Sequence, residues 1–140
     1  MTTAQLMSRA WPSWAHSGIE VYRLERRAAL NYLHWLVASY ADTREDHLLE
    51  GIISILFEGN GALTDRRGND TSWFTGGQGI LGMIDGARPR RSSIPIFITL
   101  HGDLLTIIRT AQRELSIEHY DAILEYTLAL EDLIAQALCQ

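Results

Sequence analysis

Two histidines stand at spacings that carry chemical meaning. His101 falls with Phe97, Leu104, Leu105 and Ile108 on one helical face, and Glu131 projects between Tyr120, Leu124 and Leu138 near the middle of another apolar arc. An imidazole and a carboxylate turned toward one interior would make an acid–base pair, or two donors for a small ligand or metal. A carboxylate in that setting needs a partner, because burying it alone is costly or raises its pKa. Three placements are open for Glu131: an arginine inside the bundle, the wall of a cavity, or a solvated edge. For His101 the alternative to a ligand is a satisfied core histidine. Arg113 and His119 set a permanent cation close in sequence to an imidazole able to take or give a proton.

Charge is segregated along the chain. Glu118, Asp121, Glu125 and Asp132 project onto one stripe of the final helical segment, and no arginine follows Arg113. Like charges at spacings of three and four oppose helix formation by a few tenths of a kcal/mol per pair. A positive surface facing this stripe would relieve them, either from this chain or from a partner. The candidates are Arg66-Arg67 and the cluster Arg88-Pro-Arg90-Arg91. Arginine pairs well with carboxylates and phosphates, and Trp73-Phe74 beside Arg66-Arg67 is a recognition surface in composition. A two-fold dimer would make an arginine-to-acid contact twice.

Most catalytic signatures are missing. There is no P-loop, no dinucleotide fingerprint, no His-Glu-x-x-His element and no nucleophile elbow. The stretch Gly76-Gly77-Gln78-Gly79 presents backbone N–H groups without the context of a phosphate-binding loop. Asp42-x-x-Glu45 and Glu118-x-x-Asp121 are carboxylate pairs far apart in the sequence; on facing helices their oxygens could bind a hard cation, but no metal or cofactor is expected. Arg113-Glu-Leu-Ser-Ile-Glu-His119 resembles the Arg-x(4–6)-His element of the helical HEPN ribonucleases. That resemblance implies a metal-independent ribonuclease in which Arg113 and His119 of two subunits meet in a cleft. Glu114 stands where the family usually has Asn or Asp, and Glu118 adds a second charge repelling RNA phosphate.

These groups must be positioned by helices. Val21, Leu24, Ala28, Tyr32 and Trp35 recur at threes and fours, with Arg27 and His34 on the opposite side. This predicts a helix from Gly18 to about Tyr40. A second is expected after a cap at Asp42 or Thr43, burying Leu48, Leu49, Ile52, Ile53 and Leu56. Pro95 suits the first turn of a third, although the β-branched run from Ile94 to Thr99 leaves a strand open. Ser116 resembles the cap of a last helix reaching Leu138. Eight of the 11 glycines fall between Gly59 and Gly86. Residues 59–93 are therefore expected to form an irregular insertion, with a short hairpin over 63–74 and a helical turn near 80–84. A short helix before Pro12 is also expected.

Composition bounds the rest. The chain has 140 residues, 46% of them hydrophobic, a net charge of −5 and no lysine, all 12 basic residues being arginine. That suits one helical domain over residues 1–140, an all-α bundle of four main helices. The acidic balance disfavours nucleic acid as a partner. The lone Cys139, and the absence of a long uninterrupted apolar run, suggest a cytoplasmic setting away from membranes. The functional expectation is a small interaction or regulatory module, such as an inhibitor, an adaptor or an antitoxin-like protein. It would act on a protein partner and as a homodimer. The ribonuclease and a ligand site at His101 and Glu131 are the alternatives.

Overall fold

Helical periodicity on either side of the glycine-rich middle produces helices that bury their apolar stripes against one another. The computed structural model describes residues 18–58 and 79–140. Within them lie α1 (Gly18–Thr43), α2 (Asp46–Phe57), α3 (Ile80–Asp85), α4 (Ile94–Ala111) and α5 (Ile117–Leu138), and a short 3-10 turn (Arg91–Ser93) leads into α4. No strand occurs among the described residues, and the fold is all-α. The expected hairpin and the early helix before Pro12 lie outside the described residues, as do Arg66, Arg67, Trp73 and Phe74.

The core is aliphatic and continuous. Leu33, Leu36, Ile52, Leu56, Ile80, Leu104, Ile107, Ile123 and Leu130 are fully enclosed. Each such side chain contributes about 1.5–3 kcal/mol relative to remaining exposed. α1 packs on α2 and on α4, α4 packs along α5, and α3 bridges α2 and α5. Thr127 is buried in α5 without a polar penalty, because its hydroxyl donates to the Ile123 carbonyl at 2.8 Å.

The boundaries follow local chemistry. α1 runs three residues beyond Tyr40, so neither Asp42 nor Thr43 caps α2. The Thr43 hydroxyl instead donates back to the Ser39 carbonyl at 3.0 Å. Arg44 then adopts a left-handed φ of 57° while its amide still bonds the Tyr40 carbonyl at 2.8 Å. That strained residue is held by its side chain: Nη1 donates to the Thr110 carbonyl at 2.6 Å, in the last turn of α4. A guanidinium there satisfies an end carbonyl and complements the helix dipole. Glu45, not Asp42 or Thr43, occupies the N-cap position of α2, without a side-chain cap bond.

The segment Ile94–Thr99 is helical rather than extended, with Pro95 in the first turn, where no amide donor is missed. Within it Phe97 is buried while Ile96 and Ile98 are exposed, so the helical spacing of Phe97, Leu100 and Leu104 prevails over the β-branched composition. Ser116 does cap α5, its Oγ accepting from the His119 amide at 3.1 Å. The helical turn expected near 80–84 is α3, with Ile80, Leu81 and Ile84 buried. Gly79 makes that packing possible, since a Cβ there would lie 2.2 Å from the Leu56 carbonyl oxygen. Tyr126 of α5 closes the other end by donating to Asp85 Oδ2 at 2.7 Å, and that bond helps push the phenol up to about 12.

Candidate functional site

α4 carries polar groups on both of its flanks. Toward α1, Asp103 is 6% exposed and its Oδ1 lies 2.8 Å from Nδ1 of His34. Burial raises the Asp103 pKa, and the hydrogen bond and charge of His34 oppose that rise. Asp103 comes from the core side of α4 and His34 from a turn of α1 whose ring remains largely in solvent. The pair thus fixes one imidazole nitrogen and leaves the other available. Arg27, Asn31 and His34 follow at spacings of four and three, so they line the same side of α1 above this pair.

Toward α5, Nε2 of His101 lies 3.3 Å from Oε2 of Glu131. The two inward candidates of the sequence therefore do meet. Their alignment does not make a hydrogen bond, and Nε2 is enclosed with no other partner among the described residues. Glu131 is 55% exposed, so of its three open placements the solvated edge is the one observed. Two donors are all this pair supplies, and no group of three metal-ligating side chains occurs among the described residues.

The pair sits within an exposed apolar face. On α5, Ile117, Leu124, Leu128 and Leu138 are exposed at spacings that keep them with Glu131 on one side of the helix. On α4, Ile98 and Leu105 are exposed and flank His101 at three and four residues. Contact between His101 and Glu131 places the two rows side by side along the α4–α5 seam. The sequence signal for this face was present but ambiguous, because helical periodicity marks apolar stripes without saying which one is covered.

The acidic residues Glu118, Asp121, Glu125 and Asp132 are all exposed, on the solvent side of α5 next to this face. Arg88, Arg90 and Arg91 are exposed in the connection before α4, and Arg109 is exposed in its last turn. Among the described residues no arginine forms an ion pair with a carboxylate, so these two surfaces do not satisfy each other within the chain.

Arg113 and His119 belong to different segments. Arg113 is exposed in the turn after α4, whereas His119 lies in the first turn of α5 with its ring 4.5 Å from that of Phe57. His119 lines a shallow depression shared with Asp46, Glu50 and Glu114, and Arg113 is not part of that wall. The setting of His119 is acidic.

Asp103 and His34 escaped the sequence reading. His34 falls on the polar side of α1, and Asp103 reads as an interruption of an apolar run. Their joining depends on the α1–α4 register, which local periodicity does not encode. Comparisons with protein-family models, curated proteins and solved structures return no match to this chain.

Proposed function

We propose that this protein is a small interaction module that pairs with a second copy of itself through the α4–α5 face. The observation carrying this reading is the double row of exposed aliphatic side chains, Ile98 and Leu105 on one helix and Leu124, Leu128 and Leu138 on the next. Two antiparallel hairpins with such rows interlock as a four-helix arrangement, because spacings of three and four keep each row on one side. The His101–Glu131 contact would interrupt that apolar seam at one level. A single polar level of this kind favours one register over its neighbours.

Charge supports a second copy as the occupant. The acidic residues edge the face on α5, while Arg91 stands in the turn leading into α4 and Arg109 in its last turn. A two-fold axis lays α4 of one copy over α5 of the other, bringing arginines to carboxylates twice. An inhibitor, adaptor or antitoxin-like role in the cytoplasm then rests on what the assembled dimer presents to its partner.

The ribonuclease alternative draws less support, since Asp46, Glu50 and Glu114 surround His119 and would repel a phosphodiester. Ligand chemistry at His101 and Glu131 draws less as well, because Nε2 of His101 is enclosed. The dimer is tested by cysteine crosslinking in a Cys139→Ser background. With a short bismaleimide, Leu124→Cys and Leu128→Cys are expected to give covalent dimers and Glu50→Cys on α2 to remain a monomer. Equal crosslinking at all three positions, or none at the α5 positions, would overturn the reading.

A further inference from the structure

The other flank of α4 forms a groove with α1 toward Asp103, and with α3 and the connection after it toward Ser93. Two adjoining cavities of about 330 and 310 Å³ lie along it, and Leu30, Ile96 and Leu100 line both, so a single apolar floor connects them. One cavity is walled by the His34–Asp103 pair, and the other opens beside Arg88 and Arg90. Ser93 and Asp103 bracket this length of α4, which at the helical rise corresponds to roughly 15 Å. Small-molecule sites have this character: an apolar bed with a few polar groups that fix orientation.

The two ends differ in chemistry. Arg88 and Arg90 are exposed and, among the described residues, have no carboxylate partner. They form the anion-attracting end. At the other end the Asp103 carboxylate adds negative charge and disfavours an anionic group. When His34 is neutral and donates from Nδ1 to Asp103, its Nε2 holds a lone pair, which accepts a hydrogen bond from a hydroxyl.

We propose that this groove binds an elongated amphipathic anion. Its carboxylate is held by Arg88 and Arg90, its aliphatic body lies over Leu30, Ile96 and Leu100, and a terminal hydroxyl donates to Nε2 of His34. Ile96, 42% exposed, is covered by the ligand body. This site is separate from the α4–α5 face, so it stands or falls independently of dimerisation.

The test is titration calorimetry of the full chain with decanoate, its ω-hydroxy derivative and decanol. Both carboxylates are expected to bind saturably and more tightly than decanol, and the hydroxy acid more tightly than decanoate. Joint replacement Arg88→Ala and Arg90→Ala, at exposed positions, should weaken both carboxylates about tenfold and leave decanol unchanged. Ile96→Trp should abolish binding of all three by filling the floor. In the unmodified protein, the His34 ring resonances should move on adding the hydroxy acid and not on adding decanoate. Absence of saturable carboxylate binding by the folded chain would overturn the proposal. So would affinities for decanoate and decanol that are equal and indifferent to the arginines.

Discussion

Asp103 reaches across the α1–α4 seam to His34, its Oδ1 lying 2.8 Å from the imidazole Nδ1. One member is enclosed and the other largely solvated, so the contact carries a core-forming helix into a surface groove. Burial makes the ionised carboxylate costly, and the imidazole offsets part of that cost.

The pH response of this contact has a definite sign. Asp103 has a folded-state pKa above its ordinary value, so the fold favours the neutral acid. Its stabilising contribution is present below the unfolded value of about 3.9 and is lost as pH rises through the folded value. Asp103→Asn removes the ionisation and keeps an acceptor for His34. Its stability relative to the native protein should therefore improve from acid toward neutral pH. Urea denaturation of both proteins across that range checks this. A native advantage that grows with pH would contradict it.

Two glycines should respond oppositely to alanine. At Gly79 an added Cβ would meet Leu56 O at 2.2 Å and Phe57 C at 2.7 Å, both backbone atoms that cannot rotate away. Gly79→Ala is expected to cost about 1–3 kcal/mol, or more if α3 detaches from α2. At Gly102, inside α4, nothing lies within 4 Å of the added carbon. Gly102→Ala should gain roughly 0.5–1 kcal/mol from helix propensity. Thermal unfolding followed by circular dichroism separates the two.

Tyr32 is 1% exposed, and its hydroxyl has no hydrogen-bond partner among the described residues. Burial pushes that phenol up to about 12. Tyr32→Phe keeps the ring, which stacks 6.1 Å from Trp35, and removes the unpaired group. The variant should be as stable as the native protein or more stable by about 1 kcal/mol in denaturant titration. A loss of stability would mean that the hydroxyl is satisfied in solution.

Loss of the α5 cap offers a fourth check. Ser116→Ala leaves the His119 amide without its 3.1 Å acceptor. About 1 kcal/mol of stability should be lost. Hydrogen exchange should quicken first in the opening turn of α5, near Ile117 and Glu118.

The helices were legible in the sequence because their signals are local. Ser116, Pro95 and the apolar repeat of α2 each act within a few residues, and each gives the element it suggests. The end of α1 was not legible, because it depends on Arg44 reaching Thr110, 66 positions away. The candidate sites divide in the same way. His101 and Glu131 share a seam because a short turn makes α4 and α5 antiparallel neighbours. His34 and Asp103 meet only through the packing of helices distant in sequence. Periodicity also marked Leu124 and Leu138 as apolar-face residues, but their exposure emerges only once α4 takes its place on the adjoining side.

The proposed association through the α4–α5 face sets the mass of the protein in solution. Sedimentation equilibrium of the native chain should give twice the chain mass at the upper end of a concentration series. Leu128→Asp, at a position 59% exposed and outside the core, should give the single-chain mass with the same helical circular dichroism. A native chain of single mass throughout the series, or a Leu128→Asp variant that remains double, would rule out pairing through this face.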